Sequence, residues 1–150
     1  MRDLRVGLFS YTLFLEEARK VYQFFNPNPC GRAVGDCAVR AIAAAFGVSW
    51  EEAFDVLVEN ARAMCDMPSS DQVWNAVLRQ FGFECELILN GCTLGEFADD
   101  HPKGTFVVKT PGHVSTIVDG VLMDSWDSSR EAVIYVWFRP RERDRRVRNV

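Results

Sequence analysis

The chain has 150 residues, of which 48% are hydrophobic, 25% charged and 12% aromatic, with a formal net charge of −4. That length suits one globular domain with a sizeable core, and the apolar content, with only 10 Gly and 6 Pro, excludes disordered and collagen-like classes. Residues 6–15, the longest apolar-leaning run, span 10 positions interrupted by Ser10, Tyr11 and Thr12, against about 20 for a membrane span.

Arg2 and Arg5 precede that run, but Glu16, Glu17, Arg19 and Lys20 follow it where a small-residue cleavage site would stand. The pattern argues against export. The five cysteines, Cys30, Cys37, Cys65, Cys85 and Cys92, are odd in number and contain no Cys-x-x-Cys pair. Free thiols in a reducing cytoplasm are expected, without a disulfide framework or a zinc ribbon. No cofactor is called for, and no membrane partner.

Residues 1–20 read as an N-terminal extension, 21–138 as the domain and 139–150 as a basic tail. The tail holds six Arg against Glu142 and Asp144, or +4, which leaves −8 on the rest of the chain. An Arg-rich tail can bind nucleic acid. No aromatic residue follows Phe138 to stack on bases, so a solvated terminus is the expectation.

Phe25-Asn26-Pro27-Asn28-Pro29 is a turn-rich entry to the domain. Residues 37–46, Ala-rich and ended by Gly47, predict a buried helix. Ser49-Trp50-Glu51-Glu52 is a capping box, and the helix it opens carries Ala53, Phe54, Leu57, Val58 and Ala61 on one face. Ser69-Ser70-Asp71-Gln72 opens a third helix, with Val73, Trp74, Val77, Leu78 and Phe81 at the same spacing before Gly82. A strand over 83–89 and a short helix from Thr93 to before Pro102 follow. Residues 105–110, 113–118, 121–124 and 132–138 are β-branched and aromatic, with Asp119-Gly120 a hairpin turn between two of them. Helices first and an antiparallel sheet after predict an α+β domain.

Cys37 is the first candidate for chemistry. At a helix start it faces unpaired N–H groups and the positive end of the dipole, which favour thiolate. The other four cysteines lack a helix N-terminus and are expected to pack as small hydrophobes. His101 sits in an acidic loop and reads as an exposed polar residue; His113 opens a strand after Pro111-Gly112. Around the Asp119-Gly120 turn, facing residues have numbers that sum to about 239. Asp124 then lies opposite Ser115, and His113 opposite positions near 126. Because 113 and 115 share a face, Asp124 comes within diagonal reach of His113. It can hold the imidazole in one tautomer and stabilise its cation. Trp126 reads as a cleft-lining residue, Asp127 as a fallback for Asp124, and Trp50, Trp74 and Trp137 as core.

Gly35-Asp36-Cys37-Ala38 at a helix start, Gly112-His113-Val114 on a strand and Asp124 after a short hairpin resemble the papain-like cysteine peptidase fold. The likeness is to its small bacterial and phage branch, including the bacteriocin-processing peptidase-like proteins, and covers roughly residues 22–138. Residues 25–37, Pro111-Gly112-His113 and Asp124-Ser125-Trp126-Asp127 also resemble uncharacterised phage and prophage proteins of similar length. The resemblance implies a thiol protease or amidase acting on a peptide or protein in the host cytoplasm. Cys37 would be the nucleophile, His113 base and then acid, and Asp124 the orienter. Family members carry a Gln a few residues before the nucleophile as oxyanion donor, whereas Gly31 stands six residues before Cys37 here. Asn26, Asn28 or the N–H groups of Asp36 and Cys37 are the substitutes to consider. Acyl transfer by the same triad, and a non-catalytic papain fold that binds a host factor, are the competing functions.

Overall fold

The computed structural model describes residues 20–140. All but Lys20 of the expected extension over 1–20, and most of the Arg-rich tail, lie outside the described residues. The elements run β1 (Tyr22–Phe24), α1 (Cys37–Phe46), α2 (Trp50–Met64), α3 (Asp71–Gln80), β2 (Glu84–Leu87), α4 (Leu94–Asp100), β3 (Thr105–Thr110), β4 (His113–Val118), β5 (Val121–Asp124) and β6 (Tyr135–Phe138). They form an α+β domain around one six-stranded sheet of order β1-β5-β4-β3-β6-β2. No helix among the described residues is long and apolar enough to cross a membrane.

The expectation of a wholly antiparallel sheet following the helices is corrected at one edge. The turn-rich entry begins with β1, which precedes every helix and pairs parallel to β5, Phe24 opposite Asp124. Three residues are too few for a period, so pairing with a strand about a hundred residues later leaves no local trace. The predicted strand over 83–89 also shortens to four residues and lies at the other sheet edge.

Both faces of the sheet are covered. On one, Ala38, Ile42, Leu57, Val73, Trp74 and Val77 of α1–α3 pack with Val107, Val114 and Trp137. On the other, Leu94, Phe97 and Ala98 of α4 pack with Val108, Ile117, Leu122 and Val136. The neighbours Val107 and Val108 thus face opposite layers, as strand alternation requires. At the β4–β5 turn Asp119 and Gly120 both take positive φ, 48° and 75°. The pairs Thr116↔Met123, Ile117↔Leu122 and Val118↔Val121 follow the predicted register.

The helices start and stop where local chemistry dictates. Ser49 and Glu52 make both capping-box bonds on α2, and Thr93 and Glu96 do the same on α4. Gly47 ends α1 in a left-handed conformation that L side chains resist. The periodicity overstated the buried stripe of two helices: Phe54 is 38% exposed and Phe81 50% exposed. Each is partnered by an aromatic ring instead, Phe54 stacked on Trp50 at 4.8 Å and Phe81 tilted against Phe46 at 4.9 Å. Trp74 and Trp137 are buried as expected. Trp50 is half-buried at the core edge and has a polar task described below.

Leu57, fully buried among α1–α3, separates these cases. Leu57→Ala should cost about 2–5 kcal/mol in urea unfolding, and Phe54→Ala about 0.5–1.5 kcal/mol for its lost ring partner.

Candidate active site

Cys37 is the first residue of α1, His113 the first of β4 and Asp124 the last of β5. β4 and β5 run antiparallel, so the start of one and the end of the other reach the same sheet end. The alternation carried outward from Ile117↔Leu122 puts Ser115 and His113 on the face of Asp124. β1 fixes the backbone there: the Phe25 N–H donates to the Asp124 carbonyl at 2.7 Å.

Asp124 is 1% exposed. Its Oδ2 faces His113 Nε2 at 2.7 Å and accepts from Ser128 Oγ at 2.8 Å and from Ser115 Oγ. Its Oδ1 accepts from the Ser125 N–H at 2.7 Å and from Arg40 Nη2 at 3.5 Å. Burial pushes this carboxyl up, but the bonds from His113, Ser115 and Ser128 outweigh it and hold the group below its ordinary value. With Nε2 committed to Asp124, Nδ1 is the ring nitrogen left to face the thiol.

Cys37 is partly buried beside that ring. Burial raises its pKa; hydrogen bonding to His113, the charge of the imidazolium, the Val114 N–H and the charge of Arg40 more than reverse this. The thiol ends below its ordinary value. His113 moves the opposite way: burial lowers it, while Asp124 and Cys37, by hydrogen bond and by charge, raise it to about 9. The two shifts share one cause, since the charged form of each group favours the charged form of the other.

The remaining cysteines differ from this. Cys85 and Cys92 are pushed up, in both cases first by burial. The expectation that four cysteines serve as packing is corrected for Cys30, Cys65 and Cys85, which are exposed. Cys30 and Cys65 lie at chain turns and Cys85 on the edge strand β2, positions a spacing argument cannot tell from core. His101 is also corrected: it is half-buried, stacked 3.9 Å from Phe97, with Nδ1 2.8 Å from the Phe97 carbonyl.

Trp126, 45% exposed, places its ring 5.1 Å from that of His113. Asp127 binds the Ser129 N–H and makes no bond to His113, so Asp124 alone orients the ring. The suggested oxyanion donors change most. The Asp36 N–H donates to the Val34 carbonyl at 2.8 Å, and its carboxylate takes Arg40 Nη1 and, at 2.8 Å, Trp50 Nε1. Asp36 therefore has no donor to offer. Asn28 spends its Oδ1 on the Cys30 and Arg32 N–H groups, which shapes the preceding loop, and Asn26 receives the Asn28 N–H. The side-chain amide of Asn28 and the Cys37 N–H, which lacks an intrahelical acceptor at the first helical position, remain.

Sequence reasoning missed Arg40 and Ser128, and placed Ser115 opposite Asp124 without giving it the role of donor. Arg40 is 7% exposed, and its Nε is buried without a hydrogen-bond partner, a desolvation worth about 1–3 kcal/mol. A lone charge in a ten-residue helix of Ala, Val, Ile, Cys and Phe was the available signal.

A cavity of about 300 Å³ beside α4, lined by Glu86, Cys92, Phe97, His101 and Phe106 among others, includes none of Cys37, His113 and Asp124. Among the described residues no group of three or more His, Cys, Asp or Glu side chains is arranged to hold a metal ion.

Asp124→Asn should return the His113 ring from about 9 toward its ordinary 6.5, because the amide removes the charge that holds the proton; ring-nitrogen NMR against pH reads the change.

No protein-family model matches the chain, and no curated protein or solved structure is significantly similar to it.

Proposed function

We propose that this chain is a cysteine hydrolase of papain-like fold that cleaves an amide or isopeptide bond in a peptide or protein, as a phage or prophage product in the host cytoplasm. The observation that carries the reading is the connected series Cys37, His113, Asp124, with the thiol held below and the imidazole above their ordinary values. A nucleophile, its base and a third group orienting the base are the requirements of covalent acyl chemistry.

In this reading the Cys37 thiolate attacks the carbonyl carbon, forming a C–S bond while the carbonyl electrons move to oxygen. The Cys37 N–H and the Asn28 side-chain amide are the donors proposed for that oxyanion. As the C–N bond breaks, imidazolium His113 gives its proton to the leaving amine. Neutral His113 then takes a proton from water, whose oxygen displaces sulfur and releases the acid. Asp124 stays ionised throughout and holds the ring. Trp126, its ring tilted beside the imidazole, narrows the approach to it.

Two alternatives share these residues. Acyl transfer differs only in that an amine, not water, resolves the thioester. A non-catalytic binder is favoured by the absence of a Gln a few residues before Cys37 and by the Asp36 N–H being spent on the Val34 carbonyl. Thiol reactivity separates catalysis from binding.

Cys37 should react with iodoacetamide near pH 7 at least about tenfold faster than Cys30 or Cys65, since thiolate is the attacking species. His113→Ala should remove that advantage; equal labelling of all five thiols would rule out the enzyme. With a peptide or activated ester substrate, Cys37→Ala should abolish turnover and Asp124→Asn should lower kcat about 10²–10⁴-fold. The pH profile has a defined sign. Turnover rises as Cys37 ionises, below the ordinary thiol range, and falls as His113 loses its proton near pH 9.

A further inference from the structure

Asp36, Arg40 and Trp50 form a polar cluster beside the triad that the hydrolytic steps do not use. Arg40 lies one turn along α1 from Cys37 and four residues from Asp36, so both neighbours meet it on one helix face. Its Nη1 binds Asp36 and its Nη2 reaches Asp124 Oδ1 at 3.5 Å. Asp36 is 6% exposed, and its second oxygen accepts from Trp50 Nε1 at 2.8 Å.

These contacts close on themselves. From Cys37 the path runs to His113, to Asp124, to Arg40, to Asp36 and back along the backbone to Cys37. It crosses three elements, α1, β4 and β5, at the point where their ends meet. We propose that Arg40 is a positioning residue for the Cys37–His113 pair, its guanidinium clamping the N-cap of the nucleophile helix to the carboxylate that orients the histidine. The proposal rests on the reading of Cys37 as a nucleophile.

A fold-stabilising ion pair would account for burial alone, and such pairs can often be exchanged for apolar residues at little loss. Three features go further. The guanidinium is shared between two carboxylates on different elements. It keeps an unpartnered Nε in the interior. It also sets the charge balance around the thiol: one fixed cation stands against Asp36 and Asp124, and the imidazolium supplies the second positive charge. The charged groups that bear on the pair are Arg40 and Asp36 at α1, His113 on β4 and Asp124 on β5. Tyr22 on β1 is raised by burial and then by the charges of Asp124 and Asp127, and so stays neutral over the acid range used below.

Removing the guanidinium leaves two carboxylates against the imidazolium alone. Thiolate formation then moves to higher pH and the imidazolium holds its proton longer. Removing the Asp36 charge does the reverse, because Arg40 then answers only Asp124 and the thiolate. A residue that merely braced the fold would lower stability without moving these midpoints in opposite directions.

The test is the rate of iodoacetamide labelling at Cys37, resolved by peptide mass spectrometry from pH 4 to 10, with ring-nitrogen NMR of His113. Arg40→Met should raise the midpoint of the thiolate limb by up to about one pH unit, the scale expected for the loss of one nearby opposite charge, giving up to about tenfold slower labelling on the acid side. Asp36→Asn should lower it. Arg40→Lys, which keeps charge but not the two-armed geometry, should fall between wild type and Arg40→Met. Arg40→Met with Asp36→Asn should bring the midpoint back toward wild type. If Arg40→Met does not fold, the smaller upward shift in Arg40→Lys decides the matter. A fast wild-type Cys37 whose midpoint is unmoved by these variants, or moved in the same direction by both, overturns the role of Arg40. A wild-type Cys37 no faster than Cys30 or Cys65 overturns the nucleophile reading, and the positioning role with it.

Discussion

An ionised carboxylate cannot be left alone in a protein interior, and Asp124, at the end of β5, is 1% exposed. Each element that reaches it brings a donor. β4 supplies His113 and Ser115, the following loop supplies the Ser125 N–H and Ser128, and α1 supplies Arg40. β1 holds the same residue by its carbonyl through Phe25. The ends of four elements therefore meet at one residue, two of them, β4 and α1, through its side chain. Moving any of them away would leave a buried charge with fewer partners, which makes this sheet end rigid in a way its short strands alone would not.

How much of this was visible in the sequence follows from the range of each interaction. The β4–β5 hairpin was legible to the residue, because Asp119-Gly120 sets a turn type and the turn sets the register. That arithmetic alone brought Asp124 to Ser115 and within reach of His113. The helix boundaries at Gly47, Ser49 and Thr93 were legible for the same reason: caps are local chemistry. Cys37 meeting His113 required a contact across 76 positions and came only with the family resemblance. Arg40 meeting Asp124, at 84 positions, had no such help. Serines carry no signal in a single sequence, so Ser115 and Ser128 were invisible as donors.

Asp36 shows why adjacency misleads. Standing just before Cys37, it is the position from which an oxyanion donor would be sought, yet its N–H is spent on the Val34 carbonyl, and Arg40 at i+4 and Trp50 at i+14 claim its carboxylate. The same contact explains why Trp50 is not an ordinary core residue. Its indole N–H needs a partner when buried, and Asp36 provides one. What looked like three separate residues, a turn aspartate, a helix arginine and a core tryptophan, is one connected group behind the thiol.

That commitment has a consequence for the thiol. Among the helices, α2 and α4 satisfy their first N–H groups with full capping boxes, Ser49 with Glu52 and Thr93 with Glu96. At α3 the Ser70 hydroxyl turns away to Asp66. At α1 the N-cap residue is an aspartate, among the best capping side chains, but it makes no side-chain cap bond, and no acidic residue stands in the first turn. Had the Asp36 carboxylate capped the helix, its negative charge would sit over the N–H groups next to Cys37, opposing thiolate formation and occupying the donors that a developing oxyanion needs. Drawn aside and neutralised by Arg40, it leaves the positive end of α1 uncovered at the one cysteine placed there. The cost of an uncapped helix, about 1 kcal/mol, falls on the element that carries Cys37 at its N-terminus.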